Sequence, residues 1–302
     1  MERTLRNRLV FGSIMLIALM VLLWADDYLQ QATRGWMVAG QHMDEGIGGI
    51  GVTILLLAVL PPAVIELATL FAAEQVKPYR IIATIGVSAL TIHAFLTQFV
   101  WFENISTSVL AFILVFTMLL AALRRAWRKQ TQQAITAMAG TVLAMLYLGG
   151  LAWFLVALRV KQGGTFHGTT MVIVMILLAV KFTDVGAYFG GRAFGKHKLI
   201  PWLSPGKTWE GLFCGLMVAG VVGAMCAPAI LDLTWDRGII FGLICGGIGQ
   251  VGDLLESLMK RDAEVKDSGS VIPGFGGVLD VIDSPLLAAP FAYLLFSLFS
   301  SR

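Results

Sequence analysis

The sequence predicts an all-α protein that crosses a bilayer about nine times with its N-terminus in the cytoplasm, and three observations predict it. Hydrophobic residues fill 57% of the 302 positions and charged residues 14%, with a mean hydropathy of +0.81; a soluble fold could not hide that much apolar surface. Apolar runs long enough to cross a hydrocarbon layer of about 30 Å recur along the whole chain. Lysine and arginine gather in alternate loops, as they do on the cytoplasmic side of membrane proteins.

The runs cover residues 10–24, 49–72, 81–102, 108–123, 134–158, 169–189, 211–231, 238–258 and 285–300. Arg3, Arg6 and Arg8 precede the first. Leu23 and Trp24 make a poor cleavage site, so that run reads as a retained anchor rather than a signal peptide. With the N-terminus inside, Arg34, Arg159, Lys161, Arg237 and Arg302 fall outside and Lys181 lies within a crossing; the other 16 of the 22 basic residues fall in the cytoplasm. The net charge of +3 reflects this bias and suits an anionic leaflet, so no nucleic-acid partner is expected.

Cys214, Cys226 and Cys245 lie in apolar runs without ligand spacing, and His42, His93, His167 and His197 are scattered. They read as packing and isolated polar residues. No repeat or low-complexity linker divides the chain. Residues 1–130 read as N-terminal transmembrane helices ending in the basic Arg124–Lys129 cluster, and 131–302 as a transmembrane catalytic region with its motifs in 181–290. Glu66, after Pro61-Pro62, is an intramembrane carboxylate that needs a polar interior, for either a structural or a functional reason. The thirty-three glycines suit close helix packing in lipid.

Chemistry collects in the second half. Lys181, Asp184 and Tyr188 share one helical face. The following loop holds Gly190-Gly191-Arg192 and Lys196-His197-Lys198, then Ser204-Pro205-Gly206-Lys207-Thr208, offering the backbone donors, hydroxyls and cations that hold phosphates. A P-loop is excluded because its first glycine would fall at Pro201 and no strand is expected before it. Asp253, Ser257 and Lys260 share a face with Glu256 beside them, and Arg261, Lys266 and Asp267 follow. A glycine-rich turn, 273–277, leads to Asp280 and Asp283, with Ser284-Pro285 suited to start the last helix. Carboxylates near lysines are what a divalent cation and a polyphosphate need. A transporter pathway is the competing reading, but these groups cluster at helix ends rather than at the bilayer midplane.

The segments Gly252-Asp253-Leu254-Leu255-Glu256-Ser257-Leu258-Met259-Lys260-Arg261, Val265-Lys266-Asp267-Ser268-Gly269 and 273–284 resemble the signature of phosphatidate cytidylyltransferases, or CDP-diacylglycerol synthases. Asp184-Val185-Gly186-Ala187-Tyr188 and 204–211 resemble the same family in the same order. Phe275 stands where the family commonly has His, and Val281 where it has Arg. The resemblance implies transfer of the cytidylyl group of CTP to phosphatidate, with pyrophosphate released. It implies Mg²⁺ on Asp253, Asp280 and Asp283, with a monovalent cation as a candidate second ion. Lys260, Arg261 and Lys266 would bind phosphate oxygens, with Ser204, Lys207 and Thr208 on a triphosphate or headgroup. Asp184 and Ser257 would orient these groups, and Asp267, Gly276 and Gly277 complete the expected substrate site. A homodimer and a bacterial plasma membrane, with the site facing the cytoplasm, are the further expectations. A CTP-dependent lipid kinase and a CDP-alcohol phosphotransferase are the alternatives; the latter needs an Asp-x-x-Asp-Gly motif, whereas Ser284 follows Asp283.

Overall fold

The computed structural model describes residues 2–129, 131–161 and 166–300. Arg302 lies outside the described residues, as do the side chains of Arg3, Arg6, Arg8 and His167. Among the described residues, eight helical stretches are long and apolar enough to cross a membrane, and a ninth, of 17 residues, is shorter, giving an all-α polytopic membrane protein. The chain forms two compact units, Met1–Gln162 with Asp262–Val281, and Gly163–Arg261 with Ile282–Arg302. The expected boundary near residue 130 falls inside the first unit.

In the first unit, α1 (Glu2–Ala32) leads through a hairpin, β1 (Trp36–Val38) and β2 (Gln41–Met43), to α2 (Ile50–Ala73). The hairpin turn holds Ala39 and Gly40 at φ 48° and 82°, the doubly positive geometry that matches the twist of a two-residue hairpin. Then come α3 (Arg80–Leu96), α4 (Val100–Trp127), α5 (Ala134–Ala144), a π-helical segment (Met145–Gly150) and α6 (Leu151–Val160). The core is built from Leu60, Val64 and Leu67 of α2, Val87 and Leu90 of α3, and Met145, Leu148 and Val156. A Cβ at Gly149 would lie 2.8 Å from the Val87 Cα, so this glycine permits the close approach of α3 to the π segment.

The apolar run 81–102 does not form one helix. Gln98 interrupts it: its Oε1 accepts the Gly48 N–H at 3.1 Å, and its Nε2 donates to the carbonyls of Gly48 at 3.2 Å and Phe95 at 2.9 Å. The chain therefore breaks after Leu96, and α4 starts at Val100, taking Glu103 into its first turn. At about 1.5 Å per residue α3 is about 25 Å long, shorter than the hydrocarbon layer. The first helix also outlasts its expected end at Trp24, because Arg159 of α6 binds three residues of its last turns. Arg159 Nε lies 2.6 Å from Asp26 Oδ2, Nη2 donates to Asp27 Oδ1 at 3.0 Å, and Nη1 donates to Gln30 Oε1 at 2.6 Å. The guanidinium and the Asp26 side chain are wholly buried.

In the second unit, α7 (Phe166–Phe194) connects through a hairpin, β3 (Lys198–Ile200) and β4 (Ser204–Thr208), to α8 (Trp209–Ile230), α9 (Trp235–Asp262) and α10 (Leu279–Ser300). The last residue of α9 and the first three of α10 belong to the first unit. Glycines set the helix spacing. A Cβ at Gly223 would collide with the Gly238 carbonyl, and one at Gly238 with the Gly223 carbonyl, so α8 and α9 meet backbone to backbone. Gly246 and Gly249 place α9 against Thr183 and Val180 of α7, and Gly252 lets α9 reach Ser284 of α10. The β3–β4 hairpin, not expected from the sequence, is closed by its flanks. Trp209 N–H donates to the His197 carbonyl at 3.0 Å, and the Glu210 carboxylate accepts the N–H groups of Lys196 and His197.

Candidate active site

Lys207 is delivered by β4, next to last before α8, and its neighbour Thr208 caps that helix by accepting the Gly211 N–H at 3.1 Å. The cap fixes where the strand ends and so where the lysine stands. Lys207 Nζ lies 2.6 Å from Asp253 Oδ2 and donates to Gln250 Oε1 at 2.9 Å. Gln250 Nε2 in turn donates to Asp184 Oδ1 at 2.6 Å, and Lys181 lies 3.9 Å from the other oxygen of Asp184. Three elements, α7, β4 and α9, are thus joined by one run of alternating donors and acceptors.

Gln250 belongs to none of the sequence motifs, although it stands one turn before Asp253 on α9 and is a rare amide in a glycine-rich apolar run. Its amide orientation follows from its partners: an ammonium can only donate and a carboxylate can only accept. Of the other expected residues, Tyr188 pairs with Arg192 at 3.4 Å on α7, and Ser204 opposes Ile200 at the start of β4.

Asp253 and Glu256 of α9 and Asp283 of α10 place one carboxylate oxygen each within 4.8 Å of one another. Glu256 and Asp283 are buried, at 1% and 4% exposure. Lys260 Nζ donates to Glu256 Oε2 at 3.1 Å, and Ser284 Oγ donates to Asp283 Oδ2 at 3.2 Å. Hard oxygen donors at this spacing fit a divalent cation such as Mg²⁺. The sequence predicts Asp253, Asp280 and Asp283 as the carboxylates of this group, and Glu256 stands with Asp253 and Asp283 in the structure. Ser257 is half-buried on α9, and Arg261 is exposed at its end.

Asp280, the third expected carboxylate, belongs to the first unit and shapes the glycine-rich turn. The turn closes by paired backbone bonds between Ile272 and Gly276, with Gly274 at φ 87° and Gly276 at φ 104°, where a side chain would be strained. Asp280 Oδ2 accepts the N–H of Gly277 at 2.6 Å and of Ser268 at 3.2 Å, holding the end of the turn against the segment before it. Glu66 of α2 accepts the N–H groups of Val278 at 3.0 Å and Leu279 at 2.8 Å and the Ser268 hydroxyl at 3.3 Å. These contacts start α10 at Leu279, five residues before the Ser284 cap expected from the sequence. They also give the intramembrane Glu66 its polar surroundings. Lys266 and Asp267 are exposed beside the turn. Phe275 packs against α1, where a Cβ at Gly12 would lie 3.1 Å from its ring.

A profile of the cytidylyltransferase family matches residues 31–299. The phosphatidate cytidylyltransferase of Bacillus subtilis (strain 168) is 32% identical over 255 residues, covering 84% of this chain and 91% of that protein. The phosphatidate cytidylyltransferase of Haemophilus influenzae is 46% identical over 131 residues, 42% of this chain and 45% of its own length. The uncharacterized protein YnbB of Escherichia coli (strain K12) is 34% identical over 152 residues, 50% of this chain and 49% of its own length. The profile spans both units and every segment that carries the signature, so the chain belongs to the cytidylyltransferase family.

Proposed function

We propose that this chain transfers the cytidylyl group of CTP to phosphatidate, releasing pyrophosphate and leaving CDP-diacylglycerol in the membrane. The observation that carries the reading is the lysine and carboxylate array around Lys207 and Asp253, in a chain that matches nearly the whole length of a relative named for this reaction.

A phosphate oxygen of phosphatidate attacks the α-phosphorus of CTP, a P–O bond forms, and the bond between the α-phosphorus and the departing pyrophosphate breaks. Both reactants are anions, so the barrier lies in bringing negative charges together and in stabilising the charge on the leaving group. Lys207 and Lys260 supply positive charge beside the carboxylates, and Gln250 holds Lys207 in register with Asp184. Asp253, Glu256 and Asp283 would hold Mg²⁺. When bound, it screens and organises the triphosphate. Arg261 and, in the first unit, Lys266 and Asp267 are the further candidates for contact with substrate, and a monovalent cation remains a candidate second ion.

Membrane embedding suits the substrate, since the acyl tails stay in lipid while the phosphate meets a water-soluble nucleotide. The lysine-rich loops favour a cytoplasmic site and a bacterial plasma membrane. A homodimer is part of the proposal and is checked by the mass of the protein–detergent complex.

The deciding experiment supplies purified protein in detergent with CTP, Mg²⁺ and phosphatidate. CDP-diacylglycerol and pyrophosphate are expected in equal amounts. Release of CDP would instead identify a lipid kinase, and no turnover of any lipid phosphate would end the proposal.

A further inference from the structure

The turn before α10 has the parts of a phosphate cradle: glycines at positive φ and the first N–H groups of a helix. Those donors are engaged inside the protein. Gly276 N–H donates to the Ile272 carbonyl at 3.0 Å, and Gly277 N–H to Asp280 Oδ2 at 2.6 Å. Val278 and Leu279 donate to the two oxygens of Glu66, a residue 6% exposed and more than two hundred positions away in the chain. The neighbouring glycines leave room for this carboxylate. A Cβ at Gly269 would lie 2.5 Å from Glu66 Oε1, and one at Gly277 would lie 2.6 Å from Oε2 and collide with Ser268 Oγ.

We infer that the anion bound by this turn is the protein's own Glu66, which makes Glu66 a positioning residue for cytidylyl transfer and leaves substrate phosphates to side-chain cations. A carboxylate at a helix N-terminus satisfies donors that have no partner within the helix and complements its dipole. Its neutral isostere would turn an amide NH₂ toward one of the two N–H groups, so that donor would lose its acceptor in an apolar setting. The turn would loosen, and with it the first turn of α10, the helix that carries Asp283 of the carboxylate cluster. Glu66 thereby ties α2, which carries none of the signature residues, to the signature turn.

The test uses the full-length protein in detergent with Glu66→Gln, Glu66→Ala and Gly277→Ala. Hydrogen–deuterium exchange at residues 276–280 is expected to quicken by about 10-fold or more in Glu66→Gln, with the remaining helices unchanged. In the CTP assay, on which the kinetic half of the inference rests through the proposed reaction, Glu66→Gln lowers kcat by about 10-fold while the KM for CTP stays within about threefold. Glu66→Ala regains part of its kcat in formate or acetate but not in chloride at equal ionic strength.

Wild-type exchange at 276–280 in Glu66→Gln overturns the inference whatever reaction the protein catalyses. A rise in the KM for CTP at constant kcat, or no rescue by formate, overturns the positioning role. If the Glu66 variants do not accumulate, Gly277→Ala, which crowds the same carboxylate, carries both readouts with the same expected and contrary results. A wild-type protein that makes no CDP-diacylglycerol defeats the proposed reaction and leaves the exchange result to decide the anion on its own.

Discussion

The Lys207 ammonium lies 2.6 Å from the Asp253 carboxylate. The pair joins a hairpin strand to a transmembrane helix, and both side chains are partly exposed. Lys207→Met is expected to lower kcat/KM by roughly 10²–10³-fold, the range for removing one charge-stabilising donor. Lys207→Arg should fall between, because its longer planar head cannot keep the same bond to Gln250. Initial rates of CDP-diacylglycerol formation check both.

Gln250 orients that lysine and touches Asp184 with its other end. Gln250→Leu is expected to lower kcat by about 10-fold, and the double variant with Lys207→Met should be little worse than Lys207→Met alone, since neighbours in one network are not additive. Fully additive losses would show that Gln250 acts elsewhere.

Asp283 shares its cluster with Asp253 and Glu256. Removing one hard ligand from a three-carboxylate site weakens divalent binding, so Asp283→Asn should raise the half-saturating Mg²⁺ concentration by roughly 10–100-fold as well as lower the rate. A Mg²⁺ titration of activity, paired with calorimetric titration of Mg²⁺ without nucleotide, separates the two effects. An unchanged Mg²⁺ requirement would remove Asp283 from the site.

Arg159 ties α1 to α6 within the first unit and serves stability. Breaking a buried ion pair by deleting one partner costs about 3–5 kcal/mol, and Arg159→Met leaves Asp26 and Asp27 without the guanidinium that holds α1 to α6. A lower melting temperature in detergent is expected, with activity per folded molecule near the wild-type value.

Gly223 and Gly238 bring α8 and α9 into backbone contact. Gly223→Leu is expected to destabilise the second unit by about 1–3 kcal/mol or more through overpacking, read as a lower melting temperature.

The membrane architecture was legible because it depends on composition and on runs of apolar residues, which are local properties. The polar faces of α7 and α9 were legible for the same reason: helical periodicity alone puts Lys181 beside Asp184 and aligns Asp253 with Ser257 and Lys260. Hydropathy missed the break at Gln98, because the bonds that stop the helix run to Gly48, fifty residues away. It also placed the start of α10 at Ser284, a sound local cap, whereas Glu66 supplies a cap from another helix.

The sequence by itself determined that the chain is a polytopic helical membrane protein, and its motifs carried the family resemblance. Only the tertiary structure decided that Glu256 joins Asp253 and Asp283, that Gln250 links Lys207 to Asp184, and that Glu66 fills the glycine-rich turn. Periodicity orders residues a few positions apart. Partners on different helices are chosen by how closely those helices approach and in which register, and in the second unit the glycines at positions 223, 238, 246 and 252 set that approach.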